Sequence, residues 1–110
     1  MKILDENIEI AKRIIIEEVE KAGYQVDRII LFGSRARGDY QKGSDYDFLI
    51  AIDKDLARNE KINLTSKISL RLSDYIASDI IIKSGKKLLK EKDDKGLIGY
   101  YALKEGVALV

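Results

Sequence analysis

The chain has 110 residues, with 20 basic and 19 acidic side chains and a formal net charge of +1 at pH 7. This balance argues against binding of nucleic acid through bulk positive charge. The chain contains neither cysteine nor histidine, which excludes disulfides, thiolate nucleophiles and the commonest general base and zinc ligand. Any chemistry must therefore use carboxylates, hydroxyls, lysine, arginine, backbone groups or a hard metal ion.

The N-terminal segment carries charges throughout and lacks the apolar stretch of a secretory signal peptide. No segment approaches the roughly 20 apolar residues that a membrane-spanning helix requires. We therefore expect a soluble, cytoplasmic protein without a membrane partner. At this length we also expect one domain, residues 1–110.

Apolar residues at helical spacing predict the main helices. Residues 5–22 and 55–73 show this spacing, and the second segment repeats apolar residues every four positions. A short helix is expected at 34–38, and one or two short helices with an apolar tail are expected within 85–110.

Short runs rich in β-branched and aromatic residues predict strands at 26–33, 46–52 and 75–83. The run at 46–52 is apolar at consecutive positions, which is typical of a strand covered on both faces. Helices and strands that alternate in this order indicate an α+β or α/β domain with a small mixed central sheet flanked by helices.

The first predicted strand ends at Gly33-Ser34. A serine at the start of a short helix can hold a phosphate with its hydroxyl and the nearby backbone N–H groups, and a glycine lets the phosphate approach the backbone closely. An ordinary helix-capping serine after a turn glycine explains the same dipeptide. Both interpretations remain open for these two residues alone.

Two aspartates stand at the head of the second predicted strand. Asp45 and Asp47 are two positions apart, so their side chains share one face of an extended chain. Two carboxylates placed in this way can hold a hard cation such as Mg²⁺, which accepts a few carboxylates and completes its shell with water and phosphate oxygens. The alternative is a pair of solvated carboxylates at a strand end, although strands disfavour aspartate.

Asp79 interrupts the apolar run of the third predicted strand, where an unpartnered carboxylate is unfavourable. A neighbouring strand could place it beside Asp45 and Asp47, which would complete a site for phosphoryl or nucleotidyl transfer. Asp74 is the competing candidate, but an aspartate at the end of a helix is ordinary. We therefore favour Asp79 as the third acid.

Taken together, these residues resemble a known signature. A Gly-Ser pair, a glycine a few residues later and an Asp-x-Asp motif are typical of the DNA polymerase beta-like nucleotidyltransferase superfamily. The segment looks most like the minimal nucleotidyltransferase branch, whose members are short stand-alone domains, and the resemblance covers nearly the whole chain. Relatives often carry a proline shortly before the acid pair, where this chain has Lys42-Gly43. The matching residues are Gly33, Ser34, Gly38, Ser44, Asp45, Tyr46 and Asp47.

The resemblance implies a nucleotidyltransferase fold and a role for each candidate residue. Gly33 and Ser34 would hold the triphosphate of a nucleotide, and Asp45 and Asp47 would bind two Mg²⁺ ions. Asp79 would be the third catalytic carboxylate, a metal ligand that helps to activate the acceptor hydroxyl.

Three further residues are candidates for nucleotide binding. Arg35 and Arg37 lie on the predicted phosphate turn, where an arginine could contact phosphate. Solvated helix arginines are an equally open interpretation for each of them. The resemblance also assigns Ser44, which precedes the acid pair, to nucleotide binding.

The activity that the resemblance implies is transfer of a nucleoside monophosphate, with ATP as the expected donor, to an acceptor hydroxyl. Larger relatives carry an extra domain for the acceptor, so we expect a partner or a second subunit to complete this site. Short proteins of this kind resemble the antitoxin of a toxin–antitoxin pair whose partner is an all-helical HEPN ribonuclease. The expected acceptor is then a tyrosine of that toxin.

Two other functions remain open at this point. The domain could neutralise its partner by contact alone, without transferring a nucleotide. It could also act as a homodimeric transferase for a small molecule, of the antibiotic-modifying kind. Metal-dependent incorporation of labelled nucleotide into the partner separates the first alternative from the enzyme.

Overall fold

The computed structural model describes residues 5–110, so the first four residues of the predicted domain lie outside it. In chain order the described helices are α1 (Glu6–Lys21), α2 (Ser34–Arg37), α3 (Arg58–Leu72), α4 (Gly85–Glu91) and α5 (Ile98–Glu105). The strands are β1 (Val26–Phe32), β2 (Tyr46–Ile52), β3 (Ser78–Ser84) and β4 (Val107–Ala108). None of the described helices is long and apolar enough to cross a membrane.

The strands form one mixed sheet in the order β3-β2-β1-β4, which confirms the predicted mixed central sheet. β1 is antiparallel to β2 and β4, whereas β2 and β3 are parallel. The end of β1 and the starts of β2 and β3 therefore meet at the same end of the sheet. Phe32 pairs with Asp47, and Asp47 pairs with Asp79, so the register aligns three strands at this end.

Helices cover both faces of the sheet. α1 and α3 pack on one face, and α4 and α5 pack on the other. β2 is therefore buried on both sides, as its continuous apolar run predicts. The first face is formed by residues that include Ile14, Ile15, Phe48, Ile50 and Ile68, and the second by Ile30, Leu49, Ala51, Leu88 and Ala102.

Two element starts and one additional strand are the main differences from the predictions. α3 begins at Arg58 and β3 at Ser78, each three residues later than expected. The residues before β3 look strand-like because they are apolar, but the backbone N–H groups of Tyr75 and Ile76 both donate to the carbonyl of Leu72 and close a turn. The apolar tail includes a fourth strand, β4, whose two residues are too few to show a period.

Arg71 joins α3 to α1 through two carboxylates. Its guanidinium donates to Glu18 at 2.8 Å and to Glu17 at 2.9 Å. The Glu18 side chain is only 6% exposed, whereas that of Glu17 is 46% exposed. The hydrogen bond from Arg71 lowers the pKa of Glu18 below its ordinary value of 4.5, although burial opposes this effect.

We expect Glu18→Gln to destabilise the fold by about 2 kcal/mol at pH 7, because a buried charge-assisted hydrogen bond is lost. A lowered pKa means that the stabilisation by ionised Glu18 is complete above pH 4.5 and disappears as the pH falls through the folded-state pKa. The melting temperatures of the wild-type protein and of Glu18→Gln should therefore converge in acid. Glu17→Gln is the matched control, with an expected cost below about 1 kcal/mol because that pair is exposed.

Candidate functional site

Three aspartates lie at the end of the sheet where β2 and β3 begin, and we call Asp45, Asp47 and Asp79 the acid edge. Asp47 is the second residue of β2, and Asp79 is its direct partner in β3. Residues paired in this way project to the same face of a sheet. Asp45 precedes β2 by one residue and is exposed, as is Asp79.

Asp74 does not join this group. It lies in the turn that follows α3, is exposed, and donates its backbone N–H to the carbonyl of Arg71. The structure therefore places Asp79, and not Asp74, opposite Asp47. The sequence-based preference for Asp79 rested on the unfavourable position of a carboxylate in an apolar run; the register places Asp79 beside Asp47, and its catalytic role stays a prediction.

The electrostatic environment of Asp47 is unfavourable to its charge. It is half-buried, and burial is the largest cause that raises its pKa above the ordinary value of 3.8. The charges of Asp79 and Asp45 raise the pKa further, and Arg37 opposes them. The acid edge thus concentrates negative charge that a cation would offset.

Gly33 is held directly against Asp47. Its backbone dihedral angles are φ 74° and ψ −159°, in a region that is populated almost only by glycine. A Cβ atom at this position would overlap the Asp47 carboxylate. The sequence indicates Gly33 as a site of close approach by phosphate, and the structure adds that glycine is required for the approach of β1 to Asp47.

The donor set at the acid edge suits Mg²⁺ chemically, since all three side chains offer hard oxygen ligands. Within residues 5–110, however, no group of three acidic side chains is arranged to hold a metal ion. Mg²⁺ needs only one or two carboxylates when water and substrate phosphates complete its shell. Ligation of Mg²⁺ by Asp45, Asp47 and Asp79 together stays a prediction, as does ligation by Asp45 and Asp47 with a substrate phosphate.

Ser34 and Arg37 lie beside the acid edge on α2. Ser34 begins this helix directly after Gly33 and is half-buried. Arg37 is exposed and lies near two carboxylates, Asp39 at 3.4 Å and Glu105 at 3.7 Å. Such exposed pairs are weak, so the guanidinium is free to reorient toward an anionic ligand.

Arg35 has a different environment from Arg37. Its Nε and Nη2 atoms donate to the carbonyl oxygen of Ser44 at 3.2 and 3.1 Å. Its guanidinium also lies 4.2 Å from the ring centre of Tyr40 and 4.3 Å from that of Tyr46. Arg35 therefore fastens the loop that leads into the acid edge, a role that the sequence pattern did not indicate.

Ser44 belongs to the same loop. Its backbone N–H donates to the carbonyl of Gln41, and its hydroxyl accepts a hydrogen bond from the backbone N–H of Gln41 at 3.0 Å. These contacts tie Ser44 to Gln41 within the loop. Arg35 and Ser44 are both predicted to bind nucleotide; in the structure they also hold the backbone next to Asp45, and nucleotide binding by either residue stays a prediction.

We expect Arg35→Gln to loosen the loop 39–45 and to destabilise the fold by about 2 kcal/mol, because hydrogen bonds from a charged donor and two cation–π contacts are lost. Amide hydrogen exchange in this loop should accelerate, and the melting temperature should fall. Arg37→Gln is the matched control, since its exposed pairs contribute less than about 1 kcal/mol. Equal effects of the two substitutions would contradict the fastening role of Arg35.

Similarity to known proteins extends over the acid edge and the fold around it. A protein of Methanocaldococcus jannaschii named "Putative protein adenylyltransferase MJ0141" is 45% identical over 62 residues, which is 54% of this chain and 62% of that protein. The aligned segment thus spans less than two thirds of the relative.

Two solved structures are similar in fold. A chain from a toxin–antitoxin crystal structure with AMP-PNP has a TM-score of 0.62 at 19% identity, covering 90% of this chain and 72% of that one. A chain from the structure of a tri-AMPylated Shewanella oneidensis HEPN toxin with an MNT antitoxin has a TM-score of 0.57 at 16% identity, covering 93% and 71%. At these identities the similarity shows the fold alone.

The sequence profile of a family described as "Nucleotidyltransferase domain" matches residues 12–98. This segment contains Gly33, Ser34 and the whole acid edge. Because the match spans most of the chain and includes every strand that forms the site, the chain belongs to the nucleotidyltransferase domain family.

Proposed function

We propose that this protein transfers the AMP group of ATP to a hydroxyl group of a partner protein, and that the acceptor is a tyrosine of a HEPN toxin for which the chain acts as antitoxin. The observation that carries the chemistry is the alignment of Asp47 with Asp79 beside Gly33. The protein partner is supported by the name of the M. jannaschii relative and by the fold of chains from toxin–antitoxin complexes.

In the proposed reaction, the acceptor oxygen forms a bond to the α-phosphorus of ATP, and the bond between that phosphorus and the bridging oxygen breaks to release pyrophosphate. Ser34 and Arg37 are the groups of this chain that bind and orient the triphosphate. Asp79 is exposed at the acid edge, so its carboxylate is available to accept the proton of the acceptor hydroxyl.

Mg²⁺ held by Asp45 and Asp47 would neutralise the triphosphate and stabilise the charge that develops on its oxygens. The raised pKa of Asp47 is consistent with this assignment, because a carboxylate crowded by other carboxylates gains most from a nearby cation. Arg35 maintains the loop that sets the position of Asp45.

Calorimetry of ATP binding tests the nucleotide site. We expect ATP to bind at least about tenfold more tightly with Mg²⁺ than without it, because the carboxylates repel an uncompensated triphosphate. Asp45→Asn should remove most of this metal dependence, and Asp74→Asn, which changes an exposed acid outside the site, should leave it intact. Equal affinity with and without Mg²⁺, unaffected by Asp45→Asn, would exclude the proposed site.

A further inference from the structure

A cavity of about 670 Å³ lies among α4, α5, the start of β1 and the end of β2. Its volume falls within the range of small-molecule sites, which is roughly 300–1,000 Å³. Asp47 and Ala51 project to the same face of β2 but are four positions apart, so about 13 Å of strand separates the acid edge from this cavity. The lining includes no residue of the acid edge. A ligand bound here would therefore leave the acid edge free.

Three elements contribute apolar surface to the lining of this cavity. Leu88 and Leu89 belong to α4, Leu103 to α5 and Ala51 to β2. Leu88 and Ala51 are buried in the core between the sheet and the two helices, whereas Leu89 is 61% exposed. Apolar side chains that line a concave surface typically bury the body of a small ligand. The cavity therefore offers an apolar contact surface next to solvent.

Three exposed cations, Arg28, Lys86 and Lys92, line the same cavity, which we call the basic cavity. Within residues 5–110 none of the three forms a salt bridge. The one acid of α4, Glu91, is buried and lies 2.7 Å from the ammonium group of Lys83. Because Glu91 is already paired inside the protein, it does not neutralise the three cations.

Asp27 is the one acid among the described residues that line the basic cavity. A register shift in the pairing of β1 with β2 makes Asp27 an extra residue between Val26 and Arg28. Such bulges redirect side chains. The Asp27 carboxylate lies against the start of α4, since a Cβ atom on Gly85 would be 2.8 Å from its Oδ2 atom. The three cations outnumber this carboxylate, so the basic cavity carries excess positive charge.

We propose that the basic cavity binds a small phosphate monoester whose body is apolar or aromatic. A phosphate monoester carries a charge of about −1.5 to −2 at pH 7 and accepts charge-assisted hydrogen bonds from arginine and lysine. The excess of positive charge matches this group, and the leucines contact the body of the ligand. The site is separate from the acid edge, so the proposal does not depend on the proposed transferase activity.

Amide NMR titrations with AMP and with phenyl phosphate test the site directly. EDTA is present throughout, so that without Mg²⁺ the acid edge repels phosphate. Signals of Gly85, Leu89 and Leu103 should shift saturably with at least one probe, while those of Gly33 and Asp47 stay unchanged. Adenosine and inorganic phosphate each lack one half of the AMP ligand and should bind at least about tenfold more weakly. Absence of saturable shifts around the basic cavity with both probes, or equally tight binding of inorganic phosphate, would overturn the proposal.

Charge variants of the lining test the same site with opposite signs. Lys86→Glu should weaken binding of the phosphate probe by about tenfold or more, because it replaces an attraction with a repulsion. Asp27→Asn removes the one repelling carboxylate and should strengthen binding by about twofold to threefold. Lys67→Glu makes the same charge reversal at an exposed position of α3, on the other face of the sheet, and should leave the affinity unchanged. Equal effects of Lys86→Glu and Lys67→Glu would overturn the proposal.

Discussion

Asp47→Asn is expected to raise the melting temperature of the ligand-free protein by a few degrees and to lower AMP transfer by about 10³-fold. The two effects have one cause. The Asp47 carboxylate is half-buried and faces the charges of Asp79 and Asp45, so its ionised form is unfavourable in the folded state without a cation. The amide keeps the shape of the side chain but removes both the repulsion and the charge that the reaction requires.

The dependence on pH follows from the direction of the pKa shift. Because the pKa of Asp47 is raised in the folded state, the wild-type protein loses stability as the pH rises from 3.8 through the folded-state pKa. The gain from Asp47→Asn should therefore be largest at neutral pH and should vanish in acid. Asp74→Asn is the control, for which neither stability nor transfer should change. A variant that is both less stable and fully active would indicate a structural role for Asp47.

Gly33→Ala is expected to destabilise the protein by about 3 kcal/mol or more and to abolish ATP binding. Two costs combine at this position. The backbone conformation is nearly restricted to glycine, which accounts for about 1–3 kcal/mol, and the new methyl group overlaps the Asp47 carboxylate, which adds about as much. Thermal melting measures the loss of stability, and calorimetry with Mg²⁺ and ATP measures the loss of nucleotide binding.

Gly43→Ala separates the cost of the backbone conformation from the cost of the overlap with the Asp47 carboxylate. Gly43 also has a positive φ, of 88°, but nothing lies within 4 Å of the position that a Cβ atom would take. This variant should cost only about 1 kcal/mol and should bind ATP normally. If Gly33→Ala and Gly43→Ala lose equal stability, the contact between Gly33 and Asp47 has no energetic consequence.

The acid edge was predictable from the sequence because each of its aspartates is unusual among its immediate sequence neighbours. Asp47 lies in a strand whose other residues are apolar or aromatic, and Asp79 directly precedes three isoleucines in β3. The two strands begin at the same end of the sheet because a helix connects them in parallel. The limits of β2 were also predicted correctly. Apart from Asp47, the run between Asp45 and Asp53 is apolar or aromatic, and these two aspartates mark its ends.

Other features depend on contacts between segments that are distant in the sequence. β4 consists of two residues that become a strand only because β1 offers a free edge. The role of Arg35 depends on a loop that folds back over α2 and places Tyr40, Tyr46 and Ser44 around one guanidinium. The requirement for glycine at position 33 depends on the register that aligns Phe32 with Asp47. No periodicity or local motif encodes these three arrangements.

The central claim is that the acid edge catalyses AMP transfer to a protein. The most direct test is incubation of the protein with ATP labelled at the α-phosphate and a co-expressed HEPN toxin. Label should appear on a toxin tyrosine only when Mg²⁺ is present, with release of pyrophosphate. Asp79→Asn should reduce labelling by about 10²-fold or more while ATP still binds, because a general base contributes roughly 10²–10⁴-fold. An unlabelled toxin that wild-type protein and Asp79→Asn neutralise equally well would contradict the claim and establish inhibition by contact alone.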